Sequence, residues 1–198
     1  ACELQAMARE YGIDVPNFKS SHGDVQHEPF DAHPFLSYDP GLCIQCQRCI
    51  STCAKATGRH ALSLERNGAR VYVKVPFGEG WENSLCESCG NCAQACPTGA
   101  LTIKRRKDYR EWEVKKVRTT CPHCATGCQM DLHVKDGKIV DVQGADGPSN
   151  PNLLCVKGRS GSFDFVDCDA RIRYPLIKNK ETGEFERATW DEALNLVA

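Results

Sequence analysis

The chain has 198 residues, and 25 Lys and Arg against 26 Asp and Glu leave a formal net charge of −1. That balance excludes a strongly basic nucleic-acid platform. The 41% of hydrophobic residues excludes a disordered chain, and no apolar run approaches the roughly 18 residues of a membrane helix. Fourteen cysteines against 8% aromatics and two methionines mean that something besides a large apolar core holds the fold together.

Cysteine at this density signals either a disulfide framework or metal sites. Twelve of the fourteen can be assigned to three groups of tight internal spacing, and neighbours two residues apart suit shared metal centres. That places the chain in a reducing compartment, where thiolates persist as ligands.

In chain order, Ala1 to Gly12 read as a helix closed by Gly12, with no capping residue before it. Residues 13 to 37, rich in His, Pro, Asp and Ser, read as an irregular connector. Residues 38 to 105 hold the first two cysteine groups, Cys43-x2-Cys46-x2-Cys49-x3-Cys53 and Cys86-x2-Cys89-x2-Cys92-x3-Cys96-Pro97, which form an internal repeat. Three closely spaced thiolates on one loop hold three irons of a cubane, and the fourth iron takes its ligand from the other repeat. The assignment is therefore crosswise: Cys43, Cys46, Cys49 and Cys96 on one [4Fe–4S] cluster, and Cys86, Cys89, Cys92 and Cys53 on a second. The alternative is a pair of four-cysteine zinc sites, which usually separate two C-x2-C pairs by a longer stretch. Between the repeats lie 32 residues that include a strand pattern at Arg70–Val75, and a short strand is expected over Gly99–Ile103.

Residues 106 to 116 continue a charged run that begins at Lys104 and reads as a solvated linker. A third domain is placed at 117 to 178. Its cysteines, Cys121-x2-Cys124-x3-Cys128 and then Cys155, suit a third [4Fe–4S] cluster, with zinc again the alternative. Between them, alternating apolar positions on both sides of Asp136-Gly137 predict a β-hairpin with a tight primed turn. Lys157 follows Cys155 by two residues, so in an extended segment its side chain emerges on the ligand's side. Cys168, alone between Asp167 and Asp169, reads as structural or exposed. Thr189-Trp190-Asp191-Glu192 is a capping box that opens a helix. The chain stops about two turns into it, which predicts an internal piece of a longer polypeptide.

The repeat at 38–105 resembles a bacterial-type two-cluster ferredoxin domain, with Ala54 standing where a second Pro is usual; this implies a βαββαβ fold. Residues 111–124, Leu154-Cys155-Val156-Lys157-Gly158-Arg159, 169–177 and 190–194 resemble the opening of molybdenum or tungsten bis-pterin oxidoreductases, nearest to the large subunit of NAD(P)-linked formate dehydrogenases. Ala125 and Thr126 depart from that pattern, and the loop Arg159–Phe165 is one residue longer. Cys2-Glu3-Leu4-Gln5 resembles the end of a His/Cys3 cluster motif, shared with the large iron–sulfur subunit of respiratory complex I.

The resemblance implies an α+β chain: the end of a His/Cys3 domain and connector (1–37), a two-cluster ferredoxin-like domain (38–105), a linker, a [4Fe–4S] domain (117–178) and the start of a pterin-binding domain (179–198). It implies that Cys2 is the orphan ligand of an upstream iron–sulfur cluster, and that Lys157 lies between the third cluster and the pterin and relays electrons. The expected function is electron transfer between a Mo or W bis-pterin guanine dinucleotide centre, outside this fragment, and a cytoplasmic flavin/NAD(P)-binding partner subunit carrying its own clusters. A hydrogenase or ferredoxin is a further expected partner. A complex I-type subunit and a non-catalytic electron-carrier or zinc-stabilised module are the alternatives.

Overall fold

The computed structural model describes residues 2–13, 33–67, 70–74, 80–105, 108–162, 165–166 and 168–198. Most of the expected connector, together with Val75 at the end of the expected strand, lies outside them. The chain divides into two compact units, 1–163 and 164–198.

The first unit begins with helix α1 (Glu3–Glu10), where Cys2 takes the N-cap position without a side-chain cap hydrogen bond. Gly12 follows at φ +64°. Then come β1 (Leu36–Tyr38), α2 (Arg48–Thr57), β2 (Ser63–Asn67), β3 (Arg70–Lys74), α3 (Asn91–Gln94) and β4 (Leu101–Ile103), a βαββαβ order in an α+β chain. The strands close as two antiparallel ribbons. Leu36 stands opposite Ile103 and Tyr38 opposite Leu101, while β2 pairs with β3 along five residues.

The period-2 alternation turns Leu36, Tyr38, Leu101 and Ile103 inward, where they pack with Leu62, Val73, Trp81 and the side chains of Cys49 and Cys92. The amide of Val73 donates to the Tyr38 hydroxyl at 3.1 Å, which ties one ribbon to the other. This core is small, and sulfur occupies its centre.

A three-stranded antiparallel meander follows: β5 (Lys115–Thr120), β6 (Gln129–Lys135) and β7 (Lys138–Gly144). The β6–β7 turn is Asp136-Gly137 with φ +50° and +75°, the pair of left-handed residues that a type I′ hairpin needs. Behind it, Cys121, Met130, Val142 and Leu154 form a second apolar cluster. A short ribbon of β8 (Asp146–Gly147) and β9 (Asn150–Pro151) leads to Cys155.

The extended backbone expected after Cys155 is not found. Val156 is helical, and Lys157–Gly161 form a π-helical turn. The turn lets Arg159 and Ser162 bury together, held by Arg159 N–H to the Cys155 carbonyl at 3.1 Å and Ser162 Oγ to the Gly158 carbonyl at 2.7 Å.

The second unit contains the antiparallel ribbon of β10 (Leu176–Lys178) and β11 (Phe185–Arg187). Its helix α4 (Trp190–Val197) is opened by the expected capping box, Thr189 Oγ1 accepting from Glu192 N–H at 3.2 Å. Among the described residues, no helix is long and apolar enough to cross a membrane.

Candidate metal centres

The two ferredoxin-like loops repeat in conformation as well as in sequence. Gln45 and Gln47 flank Cys46 at φ +56° and +61°; Ser88 and Gly90 flank Cys89 at +56° and +72°. Left-handed backbone is costly for a non-glycine residue and persists where the surroundings over-determine it. Here it curls each loop around its own cysteines. Cys43, Cys46 and Cys49 share one cavity with Cys96 from the other repeat. Cys86, Cys89 and Cys92 share a second with Cys53. None of the fourteen cysteines is in a disulfide.

The chemistry of these donor sets fits a polycationic cluster. Burial pushes the Cys49 thiol up to about 11, with Cys96, Cys43 and Cys46 adding repulsion. Burial raises Cys92 as well, with Cys89, Cys86, Cys49 and Cys53 adding to it. Four thiolates around one partly buried cavity repel each other unless a cation sits among them, and binding must displace their protons. Backbone amides already point at sulfur: Ser88 N–H to Cys86 Sγ at 3.4 Å and Leu101 N–H to Cys96 Sγ at 3.5 Å. Such contacts tune iron–sulfur potentials. Among the described residues no three His, Cys, Asp or Glu side chains close on a single-ion site; the thiols stand around cavities instead.

His33 is a site residue that the sequence concealed. It is buried, and its Nδ1 accepts from the amides of Phe35 (3.1 Å) and Leu36 (3.0 Å). The ring proton must therefore sit on Nε2, which lies 3.5 Å from both Cys86 Sγ and Ser88 Oγ. Trp81 packs edge-on against the ring at 5.1 Å. Burial, helped by Lys104, lowers the His33 pKa and keeps the ring neutral. The imidazole is thus an N–H donor aimed at a sulfur of the second set, and only its place in a histidine-rich stretch could have flagged it.

In the third set, Cys121 is buried while Cys124 and Cys155 are exposed. Burial raises the Cys128 thiol, and the charges of Cys121, Cys124 and Cys155 all reach it, so these four sulfurs form one group. Lys157 is exposed on the π turn. Its charge reaches Cys124, whose pKa is lowered first by the Thr126 hydroxyl and only last by Lys157. The neighbouring residues of that motif face elsewhere. A Cβ at Gly158 would meet Cys121 Sγ at 3.3 Å, and Arg159 is buried against the second cysteine loop, its Nε–H donating to the Cys89 carbonyl at 2.9 Å.

Cys2 stands beside the first set. Its Sγ donates to the Pro97 carbonyl at 3.3 Å, and it lines a cavity with Cys96. Helix α1 is held there by a Glu3–Arg48 ion pair at 2.8 Å and by Arg9 stacked 3.9 Å from the Trp112 ring. Cys168 is exposed in the second unit.

Comparison with known proteins follows this division of the chain. Residues 34–102 match the NADH-quinone oxidoreductase subunit 3 ferredoxin-like domain, and residues 114–164 match the molybdopterin oxidoreductase Fe4S4 domain. The chain is 34% identical, over 97% of its length, to one of the NADH-quinone oxidoreductase subunits of Rhizobium meliloti, covering 22% of that protein. It is 31% identical over its whole length to the NADPH-Fe(3+) oxidoreductase subunit alpha of Geobacter sulfurreducens, covering 22% of it. It is 29% identical to a Staphylococcus aureus protein named as a formate dehydrogenase, again over its whole length and 24% of that protein. A solved NAD+-reducing [NiFe]-hydrogenase aligns with 52% of this chain and 43% of its own at TM-score 0.42 and 28% identity. The chain therefore spans about a fifth to a quarter of the curated relatives it matches.

Proposed function

We propose that this chain, in which a ferredoxin-like domain is followed by a molybdopterin oxidoreductase Fe4S4 domain, is the electron-transfer segment of an oxidoreductase subunit. It holds three [4Fe–4S] clusters: Cys43, Cys46, Cys49 and Cys96 on the first, Cys53, Cys86, Cys89 and Cys92 on the second, and Cys121, Cys124, Cys128 and Cys155 on the third. Cys2 completes an upstream His/Cys3 cluster. The observation that carries this is the crosswise sharing of two cavities by eight cysteines, each cavity taking three from one repeat and one from the other.

When bound, the clusters supply one-electron carriers whose potentials the protein sets. The chain's own residues position the sulfurs, exclude water around Cys49 and Cys92, and direct N–H groups at Cys86 and Cys96. Within the complete protein, this segment carries electrons between a Mo or W bis-pterin centre that oxidises formate and a flavin/NAD(P) partner subunit in the cytoplasm. Lys157 is the residue offered toward the pterin side. The 34% identity to a NADH-quinone oxidoreductase subunit favours a second reading, in which the pterin domain is catalytically empty.

Anaerobic iron, sulfide and zinc analysis of the complete subunit tests the clusters, and formate-driven bleaching of their absorbance tests the reaction. Zinc in place of iron overturns the first statement. Full iron loading with no response to formate, but reduction by NADH or NADPH, selects the second reading.

A further inference from the structure

Arg159 is a cation buried to 1% exposure where the ferredoxin-like repeat meets the third cysteine domain. Its side chain donates four hydrogen bonds, every one to a neutral oxygen. Nε donates to the Cys89 carbonyl at 2.9 Å and Nη1 to the Val142 carbonyl at 3.3 Å; Nη2 donates to Asn91 Oδ1 at 2.8 Å and Gln94 Oε1 at 2.7 Å. Its own amide donates to the Cys155 carbonyl at 3.1 Å. The loop above makes room for it: a Cβ at Gly90, where φ is +72°, would sit 2.5 Å from Arg159 Cδ.

Removing a guanidinium from water costs several kcal/mol, and neutral acceptors return only part of that. The compensating negative charge must come from nearby. Burial lowers the Arg159 pKa, and the groups opposing that are Asp141 and then Cys89, Cys92 and Cys155. These three cysteines belong to two different sets. As cluster ligands they are thiolates, and each cluster with its four thiolates is an anion that gains one more negative charge on reduction.

We propose, resting on the cluster assignment above, that Arg159 is a positioning residue shared by the second and third clusters: one buried cation that favours the reduced form of both and joins the Cys89 carbonyl to the Cys155 carbonyl through its side chain and its amide. An electron leaving one cluster arrives at the other. No proton moves with it, because the guanidinium stays protonated throughout. The arrangement also explains why burial is tolerated here, since Asp141 and the thiolates of both cofactors together supply the counter-charge.

The test is an EPR-monitored redox titration of the complete, iron-loaded protein as wild type, Arg159→Gln and Arg159→Lys, with iron and sulfide measured on each. In Arg159→Gln the reduced-to-oxidised ratio of both the second and third clusters should fall at least tenfold at fixed ambient potential, equivalent to 59 mV for a one-electron couple. The first cluster should stay within threefold of wild type. Arg159→Lys retains a cation and should hold all three within threefold. Unchanged ratios in the Gln variant overturn the proposal, as does movement of only one of the two clusters. A Lys variant that falls as far as Gln shows a packing role without charge and also overturns it. Where Arg159→Gln does not retain its iron, the Lys titration decides alone by the same threefold limit. A wild-type protein lacking the second or third cluster signal would instead refute the cluster assignment.

Discussion

Tyr109→Phe removes one oxygen from the interior and tests how the segment between the two metal domains is pinned. The Tyr109 hydroxyl donates to Asp141 Oδ2 at 2.7 Å and lies 2.8 Å from His133 Nδ1. With its single proton spent on the carboxylate, the hydroxyl can only accept from the imidazole, so His133 carries its proton on Nδ1. All three side chains are buried. Phenylalanine keeps the ring and its edge-on contact with His133. Asp141 Oδ2 keeps the Gln143 amide at 3.1 Å, but the His133 N–H loses its acceptor. Losing a bond to a charged group and stranding a buried donor costs about 2–3 kcal/mol. That energy corresponds to a roughly 30- to 160-fold rise in local opening, at 1.36 kcal/mol per decade. Hydrogen exchange of the β6 and β7 amides in cluster-loaded protein should accelerate by that factor, while β1 and β4 keep their protection. Unchanged exchange in β6 and β7, or equal loss in all four strands, refutes the reasoning.

Crosswise ligation predicts that Cys53→Ala and Cys89→Ala abolish the same EPR signal and Cys96→Ala and Cys46→Ala the other, each costing about four irons; a Cys53 variant that matches Cys46 would sink it. His33→Phe should keep the Trp81 contact but lower the potential of the second cluster, because an N–H donor to sulfur favours the more negative reduced state; an unmoved midpoint contradicts the tautomer deduced from Phe35 and Leu36. On the formate reading proposed above, Lys157→Met in the complete protein should retain the clusters but slow formate-driven reduction of the third, with only partial rescue by Arg, whose planar fork is a poor substitute for a point-like ammonium; reduction at the native rate would leave Lys157 a bystander. Burial, then Lys116, lowers the His133 pKa below 6.5, against the opposing charges of Asp141, Glu111 and Asp131. Its contribution to stability is therefore complete above pH 6.5 and is lost as pH falls below it; a flat difference between wild type and His133→Gln over that range refutes the assignment.

Much of the framework was legible because spacing and alternation are local. The Asp136-Gly137 turn and the capping box at Thr189 each follow from residues within a few positions of one another, while the βαββαβ order came from the resemblance to two-cluster ferredoxins. The partition of eight cysteines over two cavities was also visible, because the repeat writes it into the chain twice. What the sequence did not disclose depends on contacts across the fold. His33 is one histidine in a histidine-rich stretch until the amides of Phe35 and Leu36 claim one of its nitrogens and Cys86 faces the other. The left-handed backbone at Gln45, Gln47 and Ser88 has no signature in those residue types, since it is imposed by the cysteines they separate. Lys157 was placed by strand geometry, yet its segment turns helical because burying Arg159 against the Cys89 loop outweighs the extended conformation.

The same contacts set neighbouring sites of the proposed carriers side by side. Cys2 touches the Pro97 carbonyl beside Cys96, so an upstream cluster on Cys2 would adjoin the first site. Cys49 and Cys92 share the core between the first and second sites, and the charge of one reaches the other. Arg159 bridges Cys89 of the second to Cys155 of the third. Each junction is made by a ligand residue or its direct hydrogen-bond partner, so order along the chain becomes order in space. Loss of the second site should therefore slow electron passage between the first and the third even when both keep their iron.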